Sequence, residues 1–170
     1  MYISLARDKG CGRVILGPNG RPRIDYVVSD TDRAHVIEGI IGAAKVAYTQ
    51  GATEIFTSNA ALRTFVRKTS DPAVNDMGIM NPEFQEWIAE VRKIGLKPPT
   101  AGFGSAHQMG SCKMGIDPET SVVDLHGKVW GVEGLHIADA SVLPSATGVN
   151  PMVTIMATAQ WIARAIVEGM

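Results

Sequence analysis

The sequence predicts a mixed α/β (α+β) chain, and three features predict it. Two helix-period patterns carry capping residues at their ends, one pair of β runs flanks a turn near the N-terminus, and short β runs precede a last apolar helix. Residues 13 to 28, RVILGPNGRPRIDYVV, place β-branched and aromatic residues on both sides of Gly17-Pro18-Asn19-Gly20, the composition of a hairpin with a longer turn. Ser29 with Asp32 three residues later starts a helix on which Val36, Ile37, Ile40, Ile41 and Ala44 keep helical spacing, and Gly51 stops it. Residues 57 to 80 mix small and charged residues with TSDP, a connection of low order with at most a short helix. Asn81 as N-cap and Pro82 at the first helical position open the clearest amphipathic helix, with Phe84, Trp87, Ile88, Val91 and Ile94 on one face and Gly95 at its end. LKPPTAGFGS then breaks the pattern, which puts a boundary near Ser105. Beyond it SVVDL, KVWGV and LHIAD read as short strands separated by turns at His126-Gly127 and Glu133-Gly134, and the final helix follows Asn150.

A chain of 170 residues can bury one real core and is short for two ordinary domains. A net charge of −1, with the 16 Lys and Arg scattered, offers no field for nucleic acid. Two distant cysteines, Cys11 and Cys112, suit free thiols better than a disulfide framework. The first residues lack the pattern of a signal or transit peptide. The most apolar stretch, 152 to 167, holds Arg164 and falls short of the roughly 20 residues a membrane span needs. Cytoplasmic location is the default expectation.

Two stretches carry candidate chemistry. In ASVLPSATGVNPMVTIMATAQWIARAI, Asn150 and Pro151 make a good helix start, which by itself is enough to explain them. The same helix end also presents the N–H groups of Met152, Val153 and Thr154 at the positive end of the dipole, a ready site for an anion. In GSAHQMGSCKMG, His107 sits among small residues that allow close approach of another group, which makes it a candidate base as well as an ordinary loop histidine. No metal site is expected from His107, Cys112, His126 and His136, because no pair has the tight spacing of a zinc half-site. His35 falls on the polar face of the first helix. GCGRVI and GFGSAH start like a dinucleotide fingerprint, but neither lies between a strand and a helix or has the third glycine.

As a set, AHQMGSCKMG, SVVDLHGKVWGVEGLHIADASVLP and TGVNPMVTIMATAQWIA resemble the C-terminal region of the glucose-methanol-choline (GMC) family of FAD-dependent oxidoreductases. RDKGCGRVILGPNGRPRIDYVVSDTDRAHVIEGI and the GVNPM form of the last block resemble the long-chain fatty alcohol oxidase branch. The resemblance implies a C-terminal part of the GMC fold, with 1–104 a partial substrate-binding domain and 105–170 the closing segment of the FAD-binding domain. It implies that His107 accepts the alcohol hydroxyl proton while hydride passes to the flavin, and that Asn150 binds and orients the substrate oxygen. Asp139 and Ala140 would contact FAD, and Pro151, Met152 and Val153 would face the flavin edge. The implied reaction takes a primary, long-chain alcohol and O2 to an aldehyde and hydrogen peroxide.

The family's strand, glycine-rich turn and helix for the FAD pyrophosphate do not occur in this chain. The resemblance therefore implies a fragment, or one part of a split enzyme, that needs an N-terminal FAD-binding portion as partner. Such a chain is expected to bind FAD weakly or not at all alone, to have little or no activity by itself, and to self-associate through exposed apolar surface. The alternatives are a non-catalytic binding or assembly remnant of the same fold and, behind it, a metal-dependent hydrolase.

Overall fold

Ser29 and Asn81 each open a helix where the sequence marks one. The computed structural model describes residues 1–68 and 77–169, which cluster into two compact units, Met1–Ala6 with Ser29–Gly104 and Arg7–Val28 with Ser105–Met170. The TSDP turn signal at 69–72 lies outside the described residues.

In the first unit, helix α1 (Asp30–Thr49) starts from Ser29, whose hydroxyl oxygen accepts from Asp32 N at 3.1 Å and whose proton goes to the Asp32 carboxylate at 2.6 Å. The Ser29 oxygen on the Asp32 N–H is the N-cap that the spacing implied, and the hydroxyl proton ties it to the Asp32 side chain. Helix α2 (Pro82–Ile94) starts from Asn81, whose Oδ1 accepts from Phe84 N at 3.1 Å, and ends at Gly95. Ile41, Ala44 and Tyr48 of α1 meet Phe84, Trp87, Ile88 and Val91 of α2 in one buried core. Aromatic rings dominate it: Tyr48 stacks on Phe84 with centroids 4.3 Å apart, and Phe65 meets Phe84 edge-on at 5.3 Å.

Phe65 belongs to a strand that the sequence pattern does not announce. Two-residue strands β3 (Glu54–Ile55) and β4 (Phe65–Val66) pair antiparallel, Ile55 opposite Phe65, and turn Ile55 and Phe65 into the core while Val66 stays exposed. Two residues are too few to show a period, so 57–80 read as a connection. A 3-10 turn, Gly78–Met80, precedes Asn81. Arg63 is fixed at both ends, its carbonyl accepting from Trp87 Nε1 at 2.9 Å and its guanidinium pairing with Glu90 at 2.9 Å. Arg67 lies over the Tyr48 ring, 3.8 Å from its centroid.

In the second unit, the predicted hairpin forms from β1 (Arg13–Leu16) and β2 (Pro22–Asp25), antiparallel with Arg13 opposite Asp25, and the Gly17 to Gly20 turn closes it. The three β runs expected beyond residue 120 do not become ladders. They make single bridges only, Met114 to Val123, Val123 to Val129 and Lys128 to His136. The Asp124 side chain takes the N–H groups of His126, in the turn, and of Lys128, at the start of KVWGV, at 2.8 and 2.9 Å, so a side chain satisfies a donor that a ladder would use. Around these bridges Val123, Val142 and Ile162 form a small buried core with Met114, Val129 and Ile137 against it. Helix α3 (Met152–Glu168) is anchored through Ile162 and through Trp161, whose Nε1 donates to the Leu125 carbonyl at 2.9 Å and whose ring stacks on His126. Ala165 is buried as well, whereas Met152, Val153, Met156, Ile166 and Val167 form an exposed apolar set, with Val153 72 % and Val167 87 % accessible. Among the described residues no helix is long and apolar enough to cross a membrane.

Candidate active site

The second unit holds every candidate residue. The block after His107 runs alongside the 3-10 turn Ala140–Val142: Gly110 N donates to Ala140 O at 3.4 Å, Cys112 N to Ser141 O at 2.9 Å and Met114 N to Val142 O at 2.8 Å. Gly110 has φ +83°, and a Cβ there would come 3.2 Å from the Leu143 carbonyl, so this close approach of two backbones needs glycine. Through these three bonds the His107 block and the Asp139-Ala140 pair share one backbone frame.

His107 is half-buried at the start of that frame, where its N–H reaches Ser105 Oγ at 3.4 Å and Gln108 Nε2 bonds the Ser105 carbonyl at 2.8 Å. Its imidazole has no hydrogen bond to another described residue, which leaves a ring nitrogen available to accept a proton. Asp139 precedes the turn and accepts from Ser141 N at 2.7 Å. The Ser141 hydroxyl first, and its N–H second, hold the Asp139 carboxyl below the ordinary aspartate range. A carboxyl-carbon NMR titration is expected to show this low value, and Ser141→Ala to raise it. Because the folded value lies below the unfolded one, the carboxylate stabilises the fold above the unfolded pKa. That contribution disappears as pH falls through the lower folded value.

Asn150 does not hold the N-cap that its sequence position suggested. Pro151 does, at φ −84° and ψ −2°, and its carbonyl accepts the first helical bond, from Ile155 N at 2.8 Å. Proline's fixed φ and missing N–H let it start the ladder, so Asn150 falls one residue outside. From there its exposed amide oxygen accepts from Met152 N at 3.4 Å. The N–H groups of Val153 and Thr154 precede the ladder at an exposed helix end, which carries the positive end of the α3 dipole. No hydrogen bond among the described residues joins His107 to Asn150. His107, Cys112, His126 and His136 do not gather; no group of three His, Cys, Asp or Glu suited to a metal occurs among the described residues.

Sequence reasoning missed Arg7. Its Nη2 donates to the Thr147 carbonyl at 2.9 Å, across a separation of 140 residues, and reaches the loop that leads to Asn150. An arginine in a polar N-terminal stretch has no local feature that marks such a contact.

A GMC oxidoreductase family profile matches residues 12–159. The chain is 36 % identical over 169 residues to long-chain-alcohol oxidase FAO3 of Arabidopsis thaliana, covering 99 % of this chain and 21 % of the relative. It is 42 % identical over 74 residues to 6'''-hydroxyparomomycin C oxidase of Streptomyces lividus, covering 42 % of this chain and 14 % of the relative. The chain thus spans about a fifth of the length of the Arabidopsis relatives it matches. Pyridoxine 4-oxidase from Mesorbium loti has a similar fold, with a TM-score of 0.52 at 20 % identity over 94 % of this chain and 28 % of that one.

Proposed function

The chain belongs to the GMC oxidoreductase family, and on that premise we propose that it supplies the proton-accepting and alcohol-orienting residues of an FAD-dependent oxidoreductase acting on the CH–OH group of a primary, long-chain alcohol. The net reaction removes two electrons and two protons from RCH2OH and passes them to O2, giving RCHO and H2O2. The observation that carries the reading is the backbone frame joining the His107 block to Asp139-Ala140, beside a helix whose exposed N-terminus follows Asn150. The long-chain preference rests on the similarity to the plant alcohol oxidases.

The residues fit FAD at one place in particular. The α3 start offers free-standing N–H groups and a positive dipole end, which suit a cofactor edge that gains negative charge. Pro151, Met152 and Val153 would lie against that edge, and Asp139 and Ala140 would contact the cofactor from the neighbouring turn. When bound, FAD supplies the two-electron acceptor. His107 accepts the hydroxyl proton at a ring nitrogen, so that negative charge on the alcohol oxygen need not build up before the C–H bond breaks. Asn150 donates its amide N–H to that oxygen and sets the angle of the reacting carbon.

The pyrophosphate-binding part of the cofactor site is proposed to come from an N-terminal FAD-binding portion acting together with this chain. The test is the visible spectrum and the alcohol-dependent peroxide production of the chain alone and co-expressed with the N-terminal part of a plant-type alcohol oxidase. Flavin absorbance in the co-expressed sample, bleached by a long-chain alcohol without oxygen, is the expected result. No flavin in either sample would remove the catalytic reading and favour a non-catalytic assembly module. Alcohol-dependent peroxide from the chain alone would instead remove the need for a partner.

A further inference from the structure

The loop from Pro144 to Asn150 combines serine, alanine, threonine and glycine, a composition that does little to hold itself in one shape. It is nevertheless tied down at one point. Arg7 Nη2 donates to the Thr147 carbonyl at 2.9 Å, a charge-assisted bond. The Arg7 stem also lies directly under Gly148. A Cβ on Gly148 would fall 2.9 Å from Arg7 Cβ and 3.0 Å from Nε, and Gly148 has φ +70°, so both the space and the backbone conformation require glycine. Thr147 Oγ1 then donates to the Val149 carbonyl at 2.6 Å, one residue before Asn150.

Arg7 is itself fixed from the other side. The neighbouring Asp8 carboxylate accepts from the Tyr26 hydroxyl at 2.5 Å. Gly12 lies so close to the far end of the hairpin that a Cβ would be 2.5 Å from the Asp25 carbonyl and 2.9 Å from Tyr26 Cβ. The hairpin thus holds Asp8, the adjacent Arg7 holds Thr147 and Gly148, and these set where the chain enters Asn150 and α3.

We propose that Arg7 is a positioning residue that clamps the 144–150 loop and so sets the place of Asn150. Its catalytic consequence rests on the reading of Asn150 given above; the clamp itself does not.

Hydrogen exchange of the whole chain, read by mass spectrometry in peptides covering 144–151, tests the clamp. Arg7→Met keeps most of the stem and removes the donors. It is expected to speed exchange in that segment about tenfold, the size expected for losing one charge-assisted bond, while helix 82–94 keeps its protection. Arg7→Lys restores part of the protection through its one ammonium. Gly148→Ala should loosen the same segment from the loop side, and it decides the matter if Arg7→Met disturbs the fold generally. Unchanged exchange in 144–151 in these variants overturns the proposal. In the co-expressed oxidase, Arg7→Met is expected to lower kcat about tenfold with a smaller change in KM, and Arg7→Lys to recover part of it. A loosened loop with undiminished kcat overturns the positioning role. A wild-type complex with no turnover, together with a loop that responds to Arg7→Met, supports the clamp and removes only the reading of Asn150.

Discussion

His107→Ala is expected to lower alcohol turnover by the co-expressed, flavin-loaded oxidase about 10²- to 10⁴-fold, the range for losing a positioned general base. The loss should appear in kcat, with little change in flavin content, because the frame from Gly110 to Met114 is held by backbone bonds that the substitution leaves intact. Half-buried and with no ring hydrogen bond among the described residues, His107 contributes little to the core, so melting of the second unit should stay close to wild type. His107→Asn, which keeps a polar group and removes the base, should be as slow as the alanine variant. A variant that keeps near-normal kcat would transfer the proton-accepting role to another group.

The largest stability effect is expected from Trp87→Ala, about 3–5 kcal/mol, read from the urea midpoint of the first unit by far-UV circular dichroism. Trp87 is completely buried among Phe65 and Phe84, with ring centroids 6.1 and 6.2 Å away. The alanine variant loses this packing and leaves a cavity that the short β3–β4 pair, with two residues per strand, is poorly able to close. It also leaves the Arg63 carbonyl without the indole N–H that it accepts at 2.9 Å. Trp87→Phe should recover much of the packing and none of that bond, so a result between wild type and alanine separates the two contributions. Trp161→Ala is the contrast: Trp161 is 52 % exposed and spans only a surface contact to Leu125 and His126, so its loss should cost far less. Equal effects from the two would contradict the assignment of Trp87 to the centre of the first core.

The elements that the sequence foretold share one property: their signals are local. Ser29 with Asp32, Asn81 with Pro82, and Gly17 to Gly20 each satisfy backbone groups within a few residues, so spacing alone places α1, α2 and the hairpin. The candidate chemistry was legible for a related reason, since His107, Asp139 and Asn150 lie in blocks whose order resembles a family pattern.

Errors arose where several partners compete for one backbone group. Asn150 lost the cap position because Pro151 starts the ladder better. The runs after residue 120 shortened to single bridges where Asp124 caps the His126 turn and takes the Lys128 N–H at the start of KVWGV. Phe65 and the β3–β4 pair became visible only once Tyr48, Phe84 and Trp87 supplied a core for them to face.

By itself, then, the sequence determined the helix starts, the hairpin and the resemblance of its C-terminal blocks to the GMC oxidoreductases. The tertiary structure alone decided that Gly110 to Met114 lies along Ala140 to Val142, and that Arg7 reaches Thr147. Contacts across such separations depend on which surfaces the core leaves adjacent, and no period or cap in the chain encodes that adjacency.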